Sequence, residues 1–301
     1  MGLVAITYVL LVVGASVRVH GAGLACPDWP LCFGVLIPEI DFLVGLEFGH
    51  RVYAGGVSLL FVWLGYRLWK ERESLSPDVL RWWWVAAVAL FTQVILGGLT
   101  VLELLAQWTV SSHLLVGNTF CALIWLLALR LKDQGREDPR PPLPTFFRGW
   151  TLVLGLLLVG QLVLGGWVSS SMAGRVCGTT WPDCAGLGWF PLGHADWRVA
   201  LHSLHRLMAV GLLVVAIVGA FVARPHASIR RLFGWMLLGI LCQAGLGVAN
   251  VWLAVPAEIT LAHTGGAAAT VLLLTTCLHE VWMAPTPSGA LNPPRTAGEG
   301  T

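Results

Sequence analysis

The sequence predicts an all-α polytopic membrane protein, with eight transmembrane helices arranged as two parallel-repeat four-helix bundles. Three observations carry that expectation. Of 301 residues, 11% are charged and 56% hydrophobic, and the mean hydropathy is +0.76. A soluble domain is about a quarter charged, so this chain has too little polar surface to coat a water-soluble globule. Eight apolar runs have the length needed to cross a bilayer, about 20 residues each. Finally, a set of polar motifs in the first half recurs in the same order in the second.

The runs cover residues 3–17, 46–69, 82–102, 108–131, 146–168, 199–223, 232–252 and 259–283. Their number and length favour helices over a barrel, whose strands are shorter and alternate in polarity. The first run lacks a basic leading region and a clean small-residue cleavage site, and is expected to be a retained helix. Of 18 Lys and Arg, four lie between Arg67 and Arg81, five between Arg130 and Arg148 and three between Arg224 and Arg231, all after even-numbered helices. The positive-inside bias then puts both termini in the cytoplasm and the cysteine-bearing loops outside the cell membrane. Trp82, Trp83 and Trp84 read as an interfacial anchor. Seven cysteines are too few for a secreted disulfide scaffold, and a net charge of +2 offers no field for nucleic acid.

The repeat is specific. His50 and Arg51 in the second run recur as His205 and Arg206 in the sixth, Gln93 and Gly97 as Gln243 and Gly247, and His113 as His263, at offsets of 155, 150 and 150 residues. Four helices per half bring both halves into the membrane from the same side, which makes the repeat parallel. Expected divisions are a first half at 1–137, a Pro-rich cytoplasmic linker at 138–145, a second half at 146–284 and an unstructured tail at 285–301.

Ionisable or ligating side chains inside a bilayer need partners. Each half offers one His on its second helix and one on its fourth: His50 with His113, and His205 with His263. Imidazoles from facing helices of a bundle are a usual way to hold haem iron from both sides. A lone His is also read as a packing or proton-relay residue, and the duplication is what favours two haem sites. Zinc calls for about four ligands where each half has two clear ones. Nearby Gly49, Gly55, Gly56, Gly117, Gly265 and Gly266 offer a flat macrocycle access to backbone. His20, His194, His226 and His279 read as solvated residues near helix ends or in loops.

The halves differ where chemistry requires it. Glu47 lies three residues before His50 on the same helix face, and its counterpart is His202. Arg18 aligns with Ser169, so only the first half keeps that potential anion partner. The first half is therefore expected to be reactive and the second to hold a cofactor haem. A buried carboxylate beside a macrocycle can accept a proton or stabilise a developing cation; the plainer alternative is an interfacial Glu paired with Arg18 or Arg51. Arg51 and Arg206 are candidate propionate partners, or helix-end residues reaching for the interface. Cys26 with Cys32 and Cys177 with Cys184 are close pairs in outward loops and are expected to form disulfides, either as structural staples or as partners in thiol exchange. Cys121, Cys242 and Cys277 read as packing thiols.

GLACPDWPLC after the first helix, EFGHR on the second, SSHLLVGN on the fourth, LHSLHRL on the sixth and LAHTGG on the eighth together resemble the heme A synthase family. That resemblance implies oxidation of the C8 methyl group of haem O to the formyl group of haem A for cytochrome oxidase assembly. It implies that His50 and His113 bracket the substrate haem, that His205 and His263 hold a haem b cofactor, and that Glu47 is required. Haem O synthase and an unidentified electron acceptor are the partners it implies, beside membrane lipid. His20 departs from the Thr common in that turn, and the first cysteine spacing is short. The competing classes are a bis-histidine di-haem electron-transfer cytochrome, which has no need of a carboxylate in one half only, and a transporter built on a parallel repeat, which would show helices broken near the bilayer midplane.

Overall fold

A computed structural model describes residues 1–134, 136 and 139–286. Its helices are α1 (Gly2–Val19), α2 (Phe42–Lys70), α3 (Pro77–Leu102), α4 (Gln107–Asp133), α5 (Phe146–Ser170), α6 (Trp197–Val222), α7 (Ala227–Trp252) and α8 (Ala257–Met283), with one 3-10 turn at Ala173–Arg175. No strand occurs among the described residues. The all-α expectation holds. Among the described residues, seven helices are long and apolar enough to cross a membrane. The exception to the expected eight is α2, which at 29 residues has ample length but carries Glu47, His50 and Arg51 near one end and Arg67 and Lys70 near the other.

Helix starts follow capping rather than hydropathy. Asp41 accepts a hydrogen bond from the Val44 amide at 2.8 Å and starts α2 ahead of its apolar run. Pro77 occupies the first turn of α3, where its missing N–H costs nothing, so α3 also begins before the run starting at Trp82. The tail beyond residue 286 and position 138 of the linker lie outside the described residues.

Packing relates the two halves. Helix α1 lies against α2, α4 and α8, while α5 lies against α6, α8 and α4. Within each half α3 packs on α4 and α7 on α8, and α4 meets α8 between the halves. The apolar cores sit at the end of each bundle away from the cysteine loops, around Val57, Phe61, Ala86, Phe120 and Ile124 in the first half and Leu154, Leu212, Met236, Ile240 and Leu274 in the second. That arrangement leaves the histidine-bearing turns near the cysteine loops.

The seam between α2 and α3 is sparse compared with that between α6 and α7. It is closed at the core end by Trp83, which stacks on Phe61 with ring centroids 5.3 Å apart and lies directly against Gly65. This corrects the anchor reading for one of the three tryptophans: Trp83 fills an interhelical gap, whereas Trp84 is exposed. Bilayer helices associate through such close packing, since lipid tails leave no hydrophobic gain.

The end away from the cysteine loops is closed by charge. Arg140 donates to both Asp133 carboxylate oxygens at 2.8 Å and to Glu280 at 2.9 Å, and His279 Nε2 lies 2.8 Å from Asp133 Oδ2. The hydrogen bonds to Glu280, reinforced by those to Asp133, hold the Arg140 guanidinium above its ordinary value. His279, expected to be solvated, is 3% exposed because this network encloses it. Leu143 donates its amide to the Pro285 carbonyl at 3.0 Å, tying the linker to the end of α8.

Candidate functional site

Each of the four intramembrane histidines rests against a glycine on a neighbouring helix. A Cβ built on Gly14 of α1 falls 3.0 Å from His50 Cε1, and one on Gly97 of α3 falls 3.0 Å from His113 Cε1. In the second half the corresponding figures are 3.2 Å for Gly165 and His205, and 3.5 Å for Gly247 and His263. The absence of a side chain thus makes the seat in which each imidazole lies. His50 on α2 and His113 on α4 belong to helices that both pack against α1, and His205 on α6 and His263 on α8 to helices that both pack against α5. Each half thus carries its two expected histidines on helices that share a neighbour.

Three glutamines complete the histidine surroundings. Gln93 Nε2 lies 3.3 Å from His113 Nε2, and Gln161 Nε2 lies 3.3 Å from His205 Nε2. Gln243, in the amide orientation that satisfies its neighbours, donates to His263 Nδ1 at 3.2 Å and to the His263 carbonyl at 2.8 Å. Sequence reasoning used Gln93 and Gln243 only as repeat markers and missed Gln161, whose position in the first half is Leu10. The glycines singled out from sequence divide into two groups. Gly49, Gly55 and Gly56 face open space, and Gly117, Gly265 and Gly266 are packed by Gln93, Tyr8 and Gln243. The recurrence of Gly14 at Gly165 and of Gly97 at Gly247 was the available signal for the seating glycines.

These surroundings fit haem. Nδ1 of His50, His113 and His205 is buried with no hydrogen-bond partner, as is that of His202 and His279, so these rings keep unused polar capacity in a buried setting. Among the described residues no three His, Cys, Asp or Glu side chains gather as a metal site. Two imidazoles per half are a donor set that suits a macrocycle bringing its own equatorial donors.

Glu47 is 6% exposed, and its Oε1 accepts a hydrogen bond from Arg51 Nε at 2.8 Å. Arg51 also donates to the carbonyls of Asp28 at 2.8 Å, Leu31 at 2.7 Å and Cys26 at 3.3 Å. Arg206 reaches the equivalent loop through the carbonyls of Pro182, Asp183 and Thr180 at 3.2, 3.5 and 3.5 Å. Most of the donors of both arginines are thus directed at loops. In the second half His202 replaces the carboxylate, and both Arg206 Nε and His202 Nδ1 are buried without partners. Arg18 donates from Nη2 to the carbonyl of Ser169, its own repeat counterpart, at 2.8 Å.

Both expected disulfides are present, with S–S distances of 2.05 Å for Cys26–Cys32 and 2.06 Å for Cys177–Cys184. Cys121 and Cys277 are buried as expected of packing thiols, whereas Cys242 is exposed on α7. The first cysteine loop lies over α3, where a Cβ on Gly98 falls 3.0 Å from the Trp29 ring. In the second, Trp181 meets Trp252 of α7 edge-on, with centroids 6.3 Å apart. A separate cleft of about 700 Å³, lined by Trp108, Trp167, Trp197 and Leu204 among others, contains none of the four histidines.

Residues 1–42 and 39–276 match the family model described as cytochrome oxidase assembly protein. The chain is 30% identical to Heme A synthase of Shewanella oneidensis, over 92% of this chain and 93% of that one. It is 28% identical to Heme A synthase of a Caulobacter species, over 92% of each chain, and 27% identical to that of Bacillus pumilus, over 86% and 87%. Matched across nearly its whole length, and so across all four histidines and Glu47, the chain belongs to the cytochrome oxidase assembly protein family.

Proposed function

We propose that this chain is a heme A synthase, an oxidoreductase that converts the C8 methyl group of haem O to the formyl group of haem A. The observation that carries the reading is the asymmetry of an otherwise repeated site: a buried Glu47 held by Arg51 beside one histidine pair, and His202 in its place beside the other. In this reading the substrate haem lies between His50 and His113 in the first half, and a haem b cofactor is held by His205 and His263. When bound, that haem supplies one-electron redox capacity. The two halves act as parallel repeats, with both termini cytoplasmic and the disulfide loops on the outer face. The basic residues gathered away from those loops support this orientation.

The chain's own residues do the rest. The glycine seats fix the imidazole planes, and the Trp29 ring holds the first cysteine loop against α3 at Gly98, beside the Gly97 seat of His113. In this reading water supplies the oxygen: the methyl plus one water gives the alcohol, and the alcohol plus a second water gives the hydrated aldehyde, each step releasing two protons and two electrons, before the hydrate loses water to leave the formyl group. The Glu47 carboxylate is the nearby group to accept one of these protons or to stabilise an electron-poor carbon. Haem O synthase is the expected donor of substrate, and an electron acceptor outside this chain completes the reaction. Extraction and mass analysis of haem from a haem O-producing host test the reading. The Glu47→Gln variant retains haem at both sites and forms no formyl product; normal haem A output from it refutes the role. Unmodified haem from the wild type assigns the chain to the electron-carrier class instead.

A further inference from the structure

We infer that the Cys26–Cys32 loop positions Glu47, acting through Arg51 as the intermediary. The inference rests on the proposed role of Glu47 and deepens it. Arg51 has five N–H donors in a rigid plane. Its Nε–H goes to Glu47 Oε1 at 2.8 Å, and three further bonds go to Asp28, Leu31 and Cys26, all within the short loop closed by the disulfide. Three backbone acceptors spaced along one closed ring set the plane of the guanidinium. That plane sets the direction of its Nε–H, and with it the carboxylate oxygen that accepts the bond. An ordinary i,i+4 Glu–Arg pair on a helix is worth only a few tenths of a kcal/mol and leaves both side chains free to rotate. Here the side chains are 8% and 14% exposed, and most of the guanidinium's donors are committed.

The second half is the internal control. Arg206 reaches its own disulfide loop by bonds of 3.2 to 3.5 Å, has no carboxylate, and leaves Nε unpartnered. The chain thus keeps the arginine-to-loop contact twice but completes it with a carboxylate only in the half assigned to the reaction. Trp29 adds a second hold on the first loop by lying against α3 at Gly98, next to the Gly97 seat of His113. One loop therefore braces both walls of the first-half site.

A double-mutant cycle tests this on the full-length haem-loaded protein, with kcat and KM for haem O and the visible spectrum of bound haem as readouts. Cys26→Ser/Cys32→Ser and Arg51→Gln should each lower kcat on the order of 10²-fold, the cost of an ångström-scale misplacement. KM should stay within about twofold and the spectrum unchanged, which loss of the fold would not allow. Combining the changes should cost no more than Arg51→Gln alone, because the loop acts through that residue. Multiplied losses of about 10⁴-fold overturn the inference, since they mean the cysteines contribute by a route of their own. A wild-type rate in the cysteine variant overturns it as well. Arg51→Lys keeps the charge without the fork and serves where the Gln variant does not accumulate; a wild-type rate for it is equally fatal. A wild-type protein that forms no haem A refutes the proposed function, and this role with it, whereas an active wild type with multiplying losses refutes this inference alone.

Discussion

Replacing each seating glycine by alanine is a graded perturbation whose order can be read from the structure. Ordinary contact begins near 3.4 Å, so with built Cβ distances of 3.0 Å the His50 and His113 rings must each retreat by about 0.4 Å for Gly14→Ala and Gly97→Ala. His205 must yield half as much for Gly165→Ala at 3.2 Å, and His263 not at all for Gly247→Ala at 3.5 Å. Alanine gains about 1 kcal/mol over glycine inside a helix, while overpacking costs about 1–3 kcal/mol. The net is a loss of up to about 2 kcal/mol at Gly14 and Gly97, near zero at Gly165 and a small gain at Gly247. Two kcal/mol is a stability change read by thermal unfolding, and the share of it carried by displaced ligand rings lowers haem affinity by up to roughly thirtyfold. The assay is the rate at which bound haem passes to an excess of scavenging apoprotein, followed at the Soret band, with thermal unfolding in detergent as the stability control. Equal losses at all four positions, or the greatest loss at Gly247, would refute the view that these glycines set the rings by contact.

Arg140→Gln should lower stability by about 2–4 kcal/mol. It removes one partner from a largely enclosed network and leaves the Asp133 and Glu280 carboxylates beside each other, the partial exposure of those carboxylates keeping the loss below that of a fully buried pair. An unchanged melting temperature would dismiss the network as a structural tie. The pH response near α6 follows from Asp196, whose carboxyl is held low by hydrogen bonds from the Arg198 side chain and backbone. A lowered folded-state pKa means that its contribution is complete above the ordinary aspartate value and fades as pH falls through the lowered one. Arg198→Ala should move the Asp196 titration up toward the ordinary value by carboxyl NMR, and no upward movement would reject the pairing.

Much of this was legible in the sequence because periodicity and repetition are strong signals in a membrane chain. The helices and both disulfides follow from apolar runs and close cysteine spacing, and the fixed offsets put a histidine on corresponding helices of each half. What escaped was contact that needs three dimensions. Gly14 and Gly97 differ from Gly49 and Gly55 in no local property, only in which helix faces them. Arg51 was legible as an anion partner, yet most of its donors go to carbonyls of a loop about 20 residues back along the chain. His279 reads as a helix-end residue because nothing nearby in sequence announces that Asp133 and Arg140 fold over it.

The sparse seam between α2 and α3 bears on how a water-insoluble molecule arrives. Trp83 plugs that seam at one end only, and toward the histidines Gly49, Gly55 and Gly56 leave α2 without projecting side chains where Val52 already faces outward. In a bilayer the outer side of such a seam meets acyl chains rather than solvent. Under the proposed function, an apolar substrate already dissolved in the membrane would therefore meet α2 by two-dimensional diffusion, and the seam is where that encounter would take place.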